Sequence, residues 1–237
     1  MTKASSYVLG YAAERESFSC SELLDSTDSI SRSSLNWALV QLESRGELAR
    51  IGHGVYAKSS KQKFNYSPSE DIKLLFESLK AEYPLAHFCI YGGDIFEPLQ
   101  HHLSYNALTY VEADKSLTEI LFHKFQDAGK KVFHKPSKEL FYDYVDISSP
   151  AIIVKQLISG APLNKGGKVP VPTLEKLLVD IRRDSDLDYL SEQESLYMLA
   201  TAADMYNINR SSLLRYAGRR GIREEFEADL KRLDDDK

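Results

Sequence analysis

Glu112 and Asp114 stand two residues apart, behind a glycine pair, Gly92-Gly93. On a strand, residues i and i+2 share one face, and carboxylates on one face are what metal-assisted nucleotidyl transfer uses to hold Mg²⁺. Two features weaken this reading. The 18 residues between Gly93 and Glu112 make a longer gap than such sites show, and no third strand carboxylate follows. With Asp94 and Lys115 the pair approaches a metal-dependent nuclease, but Lys115 comes three residues after Glu112, where an E-x-K motif needs two. His101-His102 are adjacent, so their side chains diverge on a helix or a strand and form no chelate. Asn164-Lys165-Gly166-Gly167-Lys168 lacks the spacing of a phosphate loop and reads as an exposed turn. Cys20 and Cys89, the two cysteines of the chain, lie far apart and outside any C-x-x-C pairing. They imply neither a disulfide framework nor a zinc site, and read as buried thiols in a reducing compartment. No catalytic residue, metal ligand or cofactor is assigned from these signals.

The positive charges carry more. The formal net charge of −5 does not suggest a nucleic-acid binder, yet residues 31–63 hold Arg32, Arg45, Arg50, Lys58, Lys61 and Lys63 against only Glu43 and Glu47. Local sign matters more than the sum for attracting phosphate. Within this stretch Leu35, Ala38, Leu39 and Leu42 recur at i, i+3, i+4 and i+7, one face of a helix. The opposite face holds Ser33, Asn36, Trp37, Val40 and Ser44. Arg32 sits at the N-terminal end, where recognition helices approach bases. Asn36 suits an adenine edge, Arg32 a guanine or a phosphate, and Ser33 and Ser34 phosphates. Trp37 faces outward, either to cover a thymine methyl or to pack under the following hairpin.

That hairpin carries Arg50 on its rising strand and His53 at its tip, between Gly52 and Gly54. Glycine lets a backbone turn tightly and lie close to a sugar-phosphate chain. The expected DNA-contacting set is Arg32, Ser33, Asn36, Trp37, Arg45, Arg50, His53 and Lys58, with Lys61 and Lys63 adding charge. A second cationic group, Arg210, Arg215, Arg219, Arg220 and Arg223, occurs in a stretch with no acid between Asp204 and Glu224. Complementarity to a helix-end dipole explains such residues. The sharper reading makes Arg215, Arg219, Arg220 and Arg223 a surface for a protein or nucleic acid.

The elements that position these residues follow from pattern. Residues 7–16 read as a helix, Ser21 as the N-cap of a short helix through Leu24, and residues 26–29 as a turn. The helix from Ser31 closes at Gly46, a suitable C′ residue. Residues 47–51 and 55–57 make two short strands about the glycine-flanked turn. This order predicts a winged helix-turn-helix over residues 1–58, with a basic linker over 59–66. A mixed α/β domain is expected over 67–230. It opens with Ser67-Pro68-Ser69-Glu70, read as a capping box with proline at the first helical position, before a helix carrying Ile72, Leu75, Phe76 and Leu79. Strands are expected at 87–91, 108–111, 132–134 and 152–158, and helices at 116–128 and 173–183. A further helix, behind a capping box at Ser191-Glu192-Gln193-Glu194, carries Leu196, Leu199, Ala200 and Ala203. The strand–helix–strand unit from 108 to 134 predicts parallel neighbours. Residues 209–220 read as the last helix and 231–237 as a frayed tail. The expected class is therefore α+β: a winged helix-turn-helix, then a mixed α/β domain with a small sheet and a helical C-terminus. No apolar run approaches the roughly 18 residues of a membrane span. The N-terminus lacks the apolar core of a signal peptide, and a cytoplasmic protein without membrane association is expected.

From Ile30 to Ala57 the sequence resembles the N-terminal winged helix of AbiE-type type IV antitoxins, most tellingly at Leu48-Ala49-Arg50-Ile51-Gly52-His53-Gly54-Val55-Tyr56. The second region is similar to the antitoxin-like domain found behind such winged helices. The matching stretches are 108–112, 132–133, 152–155, 172–180, 206–209 and 213–221. Together the resemblance covers nearly the whole chain. It implies a repressor of its own promoter that binds double-stranded DNA; self-association on the DNA stays open. It also implies a C-terminal domain countering a nucleotidyltransferase-like toxin encoded by the neighbouring gene, for which the late arginines would then be a surface. In type IV systems a stable complex of the two proteins is not the expected mode. Two other readings stay open: a winged-helix regulator whose second domain senses a small molecule, and a diverged metal-dependent nucleotidyltransferase.

Overall fold

The computed structural model describes residues 2–59, 61–100, 105–184, 187 and 192–235. The fold is mixed α and β, with small sheets and a helical C-terminal part. Residues 1–65 and 202–215 form one compact unit, and residues 66–201 and 216–237 another.

The first unit runs α1 (Lys3–Ala13), β1 (Phe18–Ser19), α2 (Cys20–Asp25), α3 (Arg32–Ser44), β2 (Leu48–Gly52) and β3 (Val55–Lys58). Thr2 caps α1 by accepting from the Ser5 N–H at 3.1 Å, which starts this helix earlier than the expected residue 7. The cap of α2 is Ser19, not Ser21. Its hydroxyl accepts from Glu22 N at 3.1 Å, and Glu22 Oε2 accepts from Ser19 N at 2.6 Å, a reciprocal capping box. Ser31 caps α3, and Gly46 follows its C-cap with φ +75°. The strands form one antiparallel sheet in the order β1-β3-β2. Val8, Phe18, Leu23, Leu35, Ala38, Leu39, Leu42 and Leu48 make its core.

The segment read as a linker is pinned within this unit. Gln62 N donates to Met205 O at 3.1 Å, Asn207 N donates to Gln62 O at 3.2 Å, and Ser59 Oγ donates to Asn207 Oδ1 at 2.6 Å. These bonds draw residues 202–215 into the first unit, where the sequence boundary assigned them to the second domain.

The second unit is built on a four-stranded sheet ordered β4-β5-β7-β6: β4 (Phe88–Gly92), β5 (Leu108–Ala113), β7 (Ala151–Gln156) and β6 (Val132–His134). β4 runs antiparallel to β5, while β5 and β6 both run parallel to β7. The expected parallel direction of 108–111 and 132–134 is present, but the two are not neighbours, because β7 lies between them. Phe88, Ile90, Val111, Ala113 and Val154 face α4 (Glu70–Glu82) and α5 (Thr118–Asp127), forming a core with Ile72, Leu79, Leu121 and Phe125. The cap of α4 is Ser69, so Pro68 precedes the helix instead of opening it. A short ribbon, β8 (Leu163–Asn164) with β9 (Val171–Pro172), brackets the exposed Gly166-Gly167 turn.

Five more α-helices follow among the described residues: α6 (Lys138–Tyr144), α7 (Leu174–Arg183), α8 (Glu192–Met205), α9 (Arg210–Arg220) and, after Gly221, α10 (Arg223–Asp235). This last helix was not expected after residue 220; Phe226 and Leu230 bury one stripe of it, and it runs on through residues 231–235 of the segment expected to fray. In α8 the buried residues are Ser195, Met198, Leu199 and Ala202, so the inward stripe is displaced from the expected Leu196, Ala200 and Ala203. The proposed cap Ser191 and the pair His101-His102 lie outside the described residues.

Candidate functional site

α3 presents two different faces. Leu35, Ala38, Leu39 and Leu42 are each 1% exposed or less, which fixes the helix by burial of roughly 2 kcal/mol for each leucine. Ser31, Arg32, Ser33, Ser34, Asn36, Trp37 and Val40 are all exposed. Trp37 and Val40 are 51% and 57% exposed. The two stand one turn apart on the open face of the helix. Trp37 also lines a cleft of about 500 Å³ with Thr2, Lys3, Ser31, Ser33 and Ser34, where the first turns of α1 and α3 meet. Asn36 is held by the Cys20 thiol, which donates to its Oδ1 at 3.4 Å. Cys20 is thus partly exposed and not a core thiol, whereas Cys89 is buried. Burial pushes the Cys89 thiol well above its usual range.

Arg32 pairs with Asp25 at 3.2 Å, with both side chains at least 70% exposed. An open pair of this kind contributes at most about 1 kcal/mol, so a phosphate can displace it. Arg45 lies 3.9 Å from Glu47. Between β2 and β3 the register passes from Arg50↔Tyr56 to Gly52↔Val55, with a bulge at Ile51 and a two-residue turn, His53-Gly54. Gly54 alone takes the positive φ there, +68°. Arg50 Nε donates to Gly52 O at 3.4 Å, which holds the guanidinium along the hairpin. His53 and Lys58 are exposed. Lys61 is turned inward, with its Nζ donating to Ala203 O.

The carboxylates of the second unit do not form a pair. Glu112 is 2% exposed, accepting from Tyr91 Oη at 3.0 Å and Lys176 Nζ at 2.7 Å. Asp114 lies beyond the strand end and accepts from His87 N at 2.9 Å. Asp94 accepts from Tyr66 Oη at 2.9 Å.

Glu112 belongs instead to a buried network that the sequence reading missed. Glu112 and Lys155 are register partners on β5 and β7, on the sheet face away from α4 and α5. Lys176 bridges Glu112 to Asp180, 2.5 Å away. Tyr216 Oη donates to Asp180 at 2.9 Å, and Arg220 reaches both Asp180 and Asp184. Lys155 closes the chain on Asp184 at 2.9 Å. Three cations and three carboxylates balance in a nearly dry interior. Burial alone would lower the Lys176 pKa, but Asp180 and Glu112 overcome it and raise it well above the usual range. Burial likewise pushes the Asp184 carboxyl up, and Lys155 and Arg220 outweigh that, holding it at about 2.

The late arginines therefore divide. Arg220 is a network member and not a free surface cation, since its two carboxylates occupy it. Arg223 Nε donates to Glu227 Oε1 at 2.7 Å along α10. Arg215 and Arg219 are exposed. Arg219 Nη1 donates to Ser159 O at 3.3 Å.

Among the described residues, no helix is long and apolar enough to cross a membrane. A sequence model described as a family of unknown function (DUF6577) matches residues 34–235. No curated protein matches the chain.

Proposed function

The chain belongs to this family of unknown function (DUF6577), a membership that carries no activity with it, and from its own residues we propose a DNA-binding autorepressor and antitoxin of a type IV toxin–antitoxin system. The first unit is the winged helix-turn-helix: helix, strand, two helices and a hairpin, with β1 paired to β3. α3 is its recognition helix and the β2–β3 hairpin its wing. The observation that carries this reading is the division of α3, apolar and buried on one side, and on the other exposed through Arg32, Ser33, Asn36 and Trp37. Arg50 and Lys58 extend the cationic surface along the wing, with His53 at its tip. Phosphate contacts position such a domain and base contacts specify its site.

The second unit is the antitoxin part, countering a nucleotidyltransferase-like toxin through their shared substrate or regulation and not through an obligatory complex. The resemblance along both units supports this role. A growth rescue tests it. The neighbouring open reading frame is induced with the full chain supplied, or with a full chain whose first unit carries Arg50→Ala and Asn36→Ala. Growth arrest relieved by both forms supports an antitoxin activity separate from DNA binding; a harmless neighbour, or no rescue, removes the antitoxin role. A second reading, a regulator whose second unit senses a small molecule, is favoured by a cationic cleft in that unit.

A further inference from the structure

That cleft, of about 470 Å³, opens at the carboxyl ends of β6 and β7. Ligand sites in sheets with parallel strands gather at this end, and the volume lies in the range of small-molecule sites. Its floor is Lys155 and Arg220, both paired with Asp184, the single acid of the lining among the described residues. Its rim carries Lys135, Arg183 and Arg219, all exposed. Because the buried network is balanced within itself, the three rim charges are in excess among the described residues. Like charges gathered in a concavity repel unless an anion joins them.

The backbone is committed to this arrangement. Lys135 has φ +44°, the one positive φ outside glycine among the described residues. Strain of this kind persists where the surrounding structure enforces it, and it clusters at ligand sites. Gly160, at φ +72°, leaves room for the Arg219 guanidinium, whose Cζ would lie 2.8 Å from a β-carbon there. Arg183 Nε donates to Arg220 O at 3.3 Å, so its terminal nitrogens remain to bind. Helix-end dipoles account for arginines in the last turns of α7 and α9. They do not account for Lys135 and Lys155, which come from the sheet.

We propose that this cleft binds the oligophosphate group of a small molecule, such as a nucleoside di- or triphosphate, with Lys135, Arg183 and Arg219 as its phosphate ligands. Arginine forks match phosphate oxygens bidentately, and the charge surplus calls for more than one phosphate. The inference concerns the second unit alone and stands whether or not the first binds DNA.

Isothermal titration of the full chain at low salt with inorganic phosphate, tripolyphosphate and ATP tests it. Saturable binding of tripolyphosphate or ATP is expected, at least about tenfold tighter than inorganic phosphate. Arg219→Ala and Lys135→Ala should each weaken it about tenfold, and Gly160→Ala, which displaces Arg219, should weaken it as well. Lys231→Ala, an exposed lysine outside the lining, should leave it unchanged. ATP binding well above tripolyphosphate identifies a nucleotide as the occupant; equal affinity identifies the oligophosphate itself, and both support the site. Failure of both to bind, affinity no better than that of inorganic phosphate, or equal losses in Lys231→Ala and Arg219→Ala would overturn it. Circular dichroism of the variants separates lost binding from lost folding.

Discussion

Lys176 Nζ lies 2.7 Å from Glu112 Oε1, with both side chains at most 2% exposed. A strand from the middle of the second unit is thereby joined to a helix 64 residues later in the sequence. Breaking a buried ion pair from one side is costly, because the remaining charge keeps its desolvation penalty without its partner.

Lys176→Met should therefore lower stability by about 3–5 kcal/mol, since it removes the cation that Glu112 and Asp180 share and leaves Glu112 only the Tyr91 hydroxyl among the bonds described. The urea midpoint of the full chain reads this. A loss below about 1 kcal/mol would mean that water or rearrangement satisfies the two carboxylates. Glu112→Gln, which keeps an acceptor for Tyr91 and Lys176, should cost less.

The Asp184 carboxyl supplies a pH signature. Its folded value of about 2 lies below that of the unfolded chain. Its contribution is thus complete above about pH 4 and is lost as the pH falls toward 2, to a total of about 2 kcal/mol. The stability gap between wild type and Asp184→Asn should narrow by that amount between pH 5 and pH 2. A gap that stays constant over this range contradicts the ion-paired arrangement with Lys155 and Arg220.

On DNA, Arg50→Ala and Asn36→Ala should fail differently. The first should weaken binding on every sequence and flatten the salt dependence by about one unit of slope. The second should relax discrimination at one base pair, by about 1–3 kcal/mol. Fluorescence anisotropy across a salt series checks both. Wild-type behaviour of both variants at every salt concentration would place the interface elsewhere.

Trp37 is the only tryptophan of the chain, and its exposure makes it a reporter. Emission should be that of a solvated indole in the free protein and should shift or quench when operator DNA is added. Trp37→Ala should change stability by less than about 1 kcal/mol, as expected away from the core, while reducing DNA affinity. A large stability loss would show that the ring packs inward.

The first unit was largely legible because its determinants are local. The i, i+3, i+4, i+7 stripe of α3, its serine cap and the Gly52–Gly54 turn all act within a few residues of themselves. The Ser19–Glu22 capping box is equally local, but Ser21 offers the same hydroxyl two residues on and conceals it in the sequence. α10 was hidden by its acidic ending, although Ile222, Phe226 and Leu230 repeat every four residues. The buried network was not legible in principle. Lys176 and Asp180 at i, i+4 look like a solvated helix face, yet Leu174 through Ile181 are all buried. Their partners Glu112 and Tyr216 come from distant elements that no local pattern connects. The same holds for Arg220, whose place in an arginine-rich run suggested a surface.

The position of β7 between β5 and β6 has a consequence for biosynthesis. On the ribosome, β4 and β5 emerge first and can pair with each other, but one edge of β5 and the whole of β6 must wait for residues 151–156. Until then the nascent chain carries open strand edges of the kind that invite aggregation. Sheet closure, and with it the docking of Lys155 beside Glu112, is thus set by translation of the second half of the chain, so truncation before residue 151 should yield an insoluble product.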